Sequence, residues 1–203
     1  MGFIFSLIAI LIGYLFGSIP MGYLVSRLYG VDVTKIGSGR IGGTNVLRAA
    51  GPVAAGLTVL GDILKGLLPV YFVTVFGQPL TTALVASATV LGHNYSIFLG
   101  FKGGVGAGTA IGAVGGLSFP VALVAGLSGL AALALSRYAS VLSTTIAVMS
   151  LIGLIIATWL AYIPYQYVIA GVLNLLLMFY ALRPNFARLR AGTERRIGQK
   201  HDQ

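Results

Sequence analysis

The sequence predicts an all-α integral membrane protein of seven transmembrane helices, with its N-terminus outside and its C-terminus cytoplasmic. Three observations lead there. Hydrophobic residues make up 57% and charged residues 8% of 203 positions, with a mean hydropathy of +0.95. Soluble chains carry about 25% charged residues, so the bilayer must be the solvent for most of this one. Apolar runs close to the length of a membrane-crossing helix recur along the whole chain, and the basic residues fall on alternate connections between them.

The runs cover roughly 3–26, 53–76, 80–100, 105–118, 120–136, 140–160 and 166–182. Most approach the ~20 residues a helix needs to cross ~30 Å of hydrocarbon. The fourth and fifth are short, and tilt or burial within the bundle would accommodate them. The first has no basic residue before Arg27 and no small-residue cleavage site, so it reads as a retained helix rather than a signal peptide. With the N-terminus outside, the inner segments 27–52, 101–104, 137–139 and the tail from 183 hold twelve of the thirteen basic residues. The outer connections, around Gly77-Gln78-Pro79, Ser118-Phe119-Pro120 and Tyr162 to Gln166, hold no charge. Such asymmetry follows the positive-inside rule, and Trp159, Tyr162, Tyr165 and Tyr167 suit an outer aromatic belt. Residues 1–203 form one domain, with a basic cytoplasmic tail from about 183. The net charge of +9 is therefore a topological signal, and no nucleic-acid partner is expected, because no soluble basic domain exists to bind one. The chain has no cysteine and hence no disulfide or thiol chemistry. A monomer is the expected state.

The thirteenth basic residue, Lys65, lies inside the second run, with Asp62 three positions earlier on the same helix face. An unpaired charge there is costly, so the two are expected to pair and face the bundle interior. Gly104, Gly108, Gly112 and Gly116 recur every fourth residue, a ridge that lets helix backbones approach closely.

Two inner loops are rich in glycine. The first reads Gly37-Ser38-Gly39-Arg40-Ile41-Gly42-Gly43-Thr44-Asn45, with Arg48 shortly after; the second runs from Gly100 through Lys102, Gly103 and Gly104 to Thr109. Glycines let backbone N–H groups converge on an anion, and hydroxyls and amides add neutral donors. A helix starting after each loop would aim its positive end at the same ligand, and Arg and Lys supply the countercharge for phosphate. Two such loops on one face predict two phosphate groups held together. The match of Gly37, Gly39 and Gly42 to a dinucleotide fingerprint is accidental, because no strand precedes it. No Gly-Lys-Ser/Thr of a Walker sequence occurs. General bases are few: Asp32, Glu194, Asp202 and His201 on the inner side, and His93 late in the third run. No Ser-His-Asp arrangement or metal-ligand cluster appears, and no cofactor is expected. A site poor in bases and rich in anion donors suits substrates that are already activated, with catalysis by positioning and electrostatic stabilisation.

These stretches resemble the bacterial acyl-phosphate-dependent glycerol-3-phosphate acyltransferases, the PlsY family. The matching pieces are Gly17-Ser18-Ile19-Pro20, residues 37–45, Asp62 to Gly66, Gly92-His93 through Gly104, Arg137 to Ser140, and the tail from Asn185 to Glu194. The resemblance implies transfer of a fatty acyl group from acyl phosphate to the 1-hydroxyl of glycerol-3-phosphate, giving lysophosphatidic acid, at the cytoplasmic face of a multi-pass cell membrane protein. Acyl phosphate, glycerol-3-phosphate and membrane lipids are then the implied partners. It also implies site roles. Ser38, Thr44, Asn45 and Arg48 would hold phosphate and orient substrate, Lys102 would serve the second phosphate, and Ser140 and Ser143 would contribute from the fifth connection. Asn185 would close the site from the tail, with Ser38, Lys102 and Asn185 as its catalytic members. Gly37, Gly39, Arg40, Gly42, Gly43, His93, Gly103, Gly104 and Arg183 complete the expected binding set. A substrate phosphate taking the hydroxyl proton would suit the shortage of protein bases.

Three departures from the family pattern concern the site. Arg40 stands where the pattern has Asn and Gly43 where it has Ala. Val105 replaces the second Lys of Lys-Gly-Gly-Lys-Gly, and Leu182 replaces the His before Arg183. Each lost donor is worth a few kcal/mol in such a site, and Arg40 is positioned in sequence to restore one charge, because an arginine side chain reaches far and suits bidentate binding of phosphate. The competing readings are a relative with another acceptor or no activity, and a transporter of a phosphorylated solute.

Overall fold

The computed structural model describes residues 2–198, and their regular structure is entirely helical. The first apolar run is two helices rather than one. Helix α1 (Phe3–Ser18) ends at Gly17-Ser18-Ile19-Pro20, and α2 (Met21–Leu28) resumes after it. Pro20 has no amide hydrogen and forces Ile19 out of the helical region, to φ −55° and ψ 116°. The break leaves carbonyls that other side chains satisfy. Ser96 Oγ donates to Ser18 O at 2.5 Å, and Lys65 Nζ donates to Ile19 O at 2.7 Å.

The second run begins earlier than expected. Helix α3 (Gly43–Phe76) includes the polar segment from Gly43 and bends at Gly51, whose φ of 85° and ψ of −179° interrupt the helix just before Pro52. The third run ends earlier: α4 (Pro79–Asn94) gives way to a 3-10 turn, Ile97–Leu99, and then to a turn and irregular chain down to Gly106. Helices α5 (Ala107–Leu117), α6 (Phe119–Ser136), α7 (Ala139–Trp159) and α8 (Tyr167–Arg190) follow. The last continues through Pro184 for two further turns, so the expected tail from 183 starts as helix.

Five of these stretches, 3–28, 43–76, 119–136, 139–159 and 167–190, are long and apolar enough to cross a membrane. Helices α4 and α5 are shorter and shielded by their neighbours. Helix α4 packs on α1, α3 and α8, and α5 is seated chiefly on α3. Glycines make both contacts possible. A Cβ at Gly17 or Gly92 would collide with backbone atoms of the facing helix in the α1–α4 pair. Gly112 and Gly116 do the same for α5 on α3, as the four-residue ridge predicts. Among the described residues, α3 and α6 both lean on α5 without forming a packed face with each other. That gap matters for the site.

Candidate active site

The gap opens into a cavity of about 1020 Å³ that gathers both glycine loops, α7 and the tail. Its polar end is lined by Gly37, Ser38, Arg40, Gly42, Gly43, Thr44, Asn45 and Arg48 from the first loop and the start of α3. Gly104 to Gly108 come from the second loop, Ser140 and Ser143 from α7, and Asn185, Arg188, Glu194 and Arg195 from α8 and beyond. His93 and Asp62 lie deeper. The residues that depart from the family pattern, Arg40, Gly43, Val105 and Leu182, all line this one cavity.

Helices α3 and α5 both begin here, capped by Gly42 and Gly106 without a side-chain cap. Their first N–H groups lack intrahelical partners, so two helix N-termini face one space, as the loops predict. Gly106 needs its φ of 92°, and a Cβ there would also press on Asn94 Oδ1 at 2.7 Å. Asn45 shapes the first loop instead of facing the space freely. It is 3% exposed, its Nδ2 reaches the carbonyls of Val33, Ile36 and Arg40 at 2.9–3.1 Å, and its Oδ1 accepts the Ser38 amide at 3.2 Å. Asn45 lines the cavity, yet its amide is spent on holding the first loop in shape.

Arg40 spans the mouth. Its two terminal nitrogens donate to Asn185 Oδ1 at 2.9 Å and to Ala181 O at 2.7 Å. Asn185 Nδ2 in turn donates to Glu194 Oε1 at 2.7 Å, and Glu194 Oε2 accepts from Arg188 Nε at 2.7 Å. Burial, followed by repulsion from Arg188, holds the Arg40 guanidinium below its ordinary pKa, with Glu194 opposing. It stays cationic and is a half-buried cation for an anion to meet. Gly192, at φ 68°, turns the chain back so that Glu194 reaches α8. The tail then crosses to the α6–α7 turn, where Ile197 N donates to Arg137 O at 2.8 Å.

Lys102, expected at the second phosphate, does not line the cavity. The chain turns at Gly100 and Phe101, both with positive φ, which leaves Phe101 and Lys102 exposed on the outside of the loop. The following glycines then dive inward, Gly104 N donating to His93 O at 3.1 Å. Gly103 and Gly39 also lie off the lining, and Arg183 is exposed, with its guanidinium 4.2 Å over the Tyr180 ring. Asp32 is no base for this site. It accepts from Thr34 N at 3.1 Å and Thr34 Oγ1 at 2.6 Å, capping the 3-10 turn Val33–Lys35, and the bond from the Thr34 hydroxyl holds its pKa down against burial. Lys200, His201 and Asp202 lie outside the described residues.

Below the mouth, Asp62 Oδ1 is 2.8 Å from Lys65 Nζ, both residues 4% exposed, as their spacing predicts. Spacing did not reveal the third member: His93 Nδ1 lies 3.4 Å from the same oxygen, and its ring fills the place a Cβ on Gly104 would need. The other members unforeseen in the sequence are Arg188 and Arg195. Opposite charges on either side of Gly192 were the available signal for the Arg188–Glu194 pair.

Comparison with known proteins identifies the group to which this architecture belongs. The model of the family described as glycerol-3-phosphate acyltransferase matches residues 7–192. The chain belongs to that family. It is 41% identical over 191 residues to a glycerol-3-phosphate acyltransferase of Thermotoga petrophila, covering 92% of this chain and 94% of that one. It is 43% identical to one of Thermus thermophilus, covering 94% of each. Two crystal structures of PlsY (YgiH), an integral membrane glycerol 3-phosphate acyltransferase, superpose on it at 36% identity. The glycerol 3-phosphate form gives a TM-score of 0.87 over 95% of this chain and 96% of that one, and the lysophosphatidic acid form gives 0.86 over 95% of each.

Proposed function

We propose that this protein transfers a fatty acyl group from acyl phosphate to the 1-hydroxyl of glycerol-3-phosphate, giving lysophosphatidic acid and inorganic phosphate. The observation that carries the reading is a single cavity of two characters. One end is ringed by Arg40, Arg48, Arg188 and Arg195 and two helix N-termini, and the other by aliphatic side chains of α3, α5, α6 and α7. A phosphorylated acceptor and the phosphate of the donor suit the first, and an acyl chain suits the second.

In the reaction the hydroxyl oxygen of glycerol-3-phosphate forms a bond to the acyl carbon, the bond from that carbon to the donor phosphate oxygen breaks, and phosphate leaves with the electron pair. The hydroxyl proton passes to a substrate phosphate oxygen. This assignment is supported by the two carboxylates at the cavity, since Glu194 is held by Asn185 and Arg188 and Asp62 by Lys65. Arg40 and Arg48 take the roles of phosphate cations, with the Val105–Gly108 backbone as the second cradle. Ser38 and Ser140 act as neutral donors; the Ser140 hydroxyl is buried without a partner among the described residues. Asn185 orients Arg40. Val59 and Leu130 line the cavity yet are 43% and 58% exposed, which supports lateral access for the acyl chain from the bilayer.

We further assign the chain, as one domain, seven spans with the N-terminus outside and the site at the cytoplasmic face, on the strength of the one-sided basic residues. The chain lacks cysteine, so single cysteines placed at 78 and at 192 report the two faces without background. The activity is tested by supplying purified protein with palmitoyl phosphate and labelled glycerol-3-phosphate, in parallel with acyl-CoA and acyl carrier protein donors. Labelled lysophosphatidic acid from acyl phosphate alone supports the reading. Its formation only from another donor overturns the donor assignment, and no product from any donor overturns the acyltransferase itself.

A further inference from the structure

The glycines around the cavity divide into two kinds. Gly37, Gly43, Gly104 and Gly108 are held to glycine by close neighbours, whereas a Cβ at Gly42 or at Gly56 of α3 would meet nothing within 4 Å. A Cβ at Gly104 would strike the His93 ring, and one at Gly108 would meet Asp62 Cβ at 3.1 Å. Gly129 on α6 is required in the same way, since its Cβ would lie 2.6 Å from Ile146 Cγ1 of α7. Gly126, one turn away on α6, is different. It lines the cavity, and an added Cβ would meet only Ile111 Cδ1, at 3.6 Å, an ordinary contact. Glycine inside a helix costs stability relative to alanine, and no close helix approach at Gly126 requires it. What it supplies is empty space.

That space is the far end of the apolar arm. Leu133, Leu130 and Gly126 share one face of α6, and seven residues of helix place Gly126 about 10 Å below Leu133. Opposite, Ile111 stands one turn into α5 from Ala107 at the polar end. One turn deeper on both helices the arm is closed: a Cβ at Gly115 of α5 would lie 3.7 Å from Ala122 Cβ of α6, and Ala122 is buried.

We infer that Gly126 and Ile111 form the floor of the acyl-chain site and set the chain length the enzyme prefers. The inference rests on the acyltransferase reading above. An acyl chain that reaches the floor gains its terminal methylenes' burial there, and one that overshoots meets Ile111 and the closed turn below it. Filling position 126 shortens the site; trimming position 111 deepens it.

The test compares kcat/KM for palmitoyl phosphate with that for decanoyl phosphate, with glycerol-3-phosphate as acceptor. Gly126→Leu is expected to lower the palmitoyl-to-decanoyl ratio about tenfold, and Ile111→Ala to raise it about threefold. KM for glycerol-3-phosphate should stay unchanged in both, because neither residue borders the polar end. Opposite shifts in the two variants support the inference, and the second variant guards against a folding defect in the first. Ratios within about twofold of wild type in both, or a shift in the same direction in both, overturn it. A wild-type protein that forms no lysophosphatidic acid from either donor overturns the acyltransferase reading itself, and the inference with it.

Discussion

Replacing Arg40 by alanine removes the cation that joins the first glycine loop to α8. Two hydrogen bonds disappear, to Asn185 Oδ1 at 2.9 Å and to Ala181 O at 2.7 Å. Bonds to charged groups contribute about 1.5–3 kcal/mol each when well shielded, and the half-buried guanidinium belongs near the lower end of that range. Asn185 keeps its bond to Glu194, so the tail stays docked and the loss of folding stability is about 3 kcal/mol. The larger effect falls on the reaction. Val105 and Leu182 line the cavity where the family pattern the sequence resembles has Lys and His, so under the proposed reading Arg40 carries more of the phosphate charge than one residue among several. Removing one preorganised donor from a dry site costs about 2.7–4 kcal/mol, or about 100- to 1,000-fold, so kcat/KM for glycerol-3-phosphate should fall about 100-fold. Arg40→Lys retains the charge and reaches at most one of the two α8 acceptors, so its loss should be about tenfold. Steady-state rates with palmitoyl phosphate at saturation, beside a thermal unfolding curve for each variant, separate the two effects. An Arg40→Ala protein within about threefold of wild type in kcat/KM would refute the assignment of Arg40 as the phosphate cation.

Asp62→Ala leaves Lys65 buried without its countercharge and should cost about 3–5 kcal/mol. Asp62→Leu combined with Lys65→Met should cost clearly less by thermal unfolding in detergent, and equal losses would show that the pair is not a coupled unit. Gly112→Ala drives a Cβ into the Ile63 carbonyl of α3 and should destabilise by about 1–3 kcal/mol, read as a drop in Tm, whereas Gly126→Ala should be tolerated. Lys102→Ala should leave kcat/KM within about threefold of wild type, because its side chain lies outside the cavity, where surface changes are close to neutral. A loss of about tenfold or more would return Lys102 to the site.

The sequence by itself determined whatever depends on composition or on neighbours along one helix. An apolar chain with 8% charged residues has to take the bilayer as solvent. Asp62 and Lys65 pair because i and i+3 share a helix face. The α5 glycine ridge announced a close helix contact, and the two loops announced two helix starts facing one space. Element ends were less legible. Residues 43–50 are too polar to register as an apolar run, yet tertiary contacts carry the helix through them to the bend at Gly51.

Only the tertiary structure decided which polar groups meet. Arg40 bonds a residue 145 positions away, and His93 joins a pair on another helix. Lys102, adjacent in sequence to the second cradle, points away from it because the turn at Gly100 and Phe101 sets its direction. Gly126 reads in the sequence like any other packing glycine, and its empty neighbourhood becomes visible only once α3 and α6 are seen to stand apart over α5. The reason is physical: a side chain's position along its own helix follows from local periodicity, whereas its partner across a cavity depends on how every intervening helix packs.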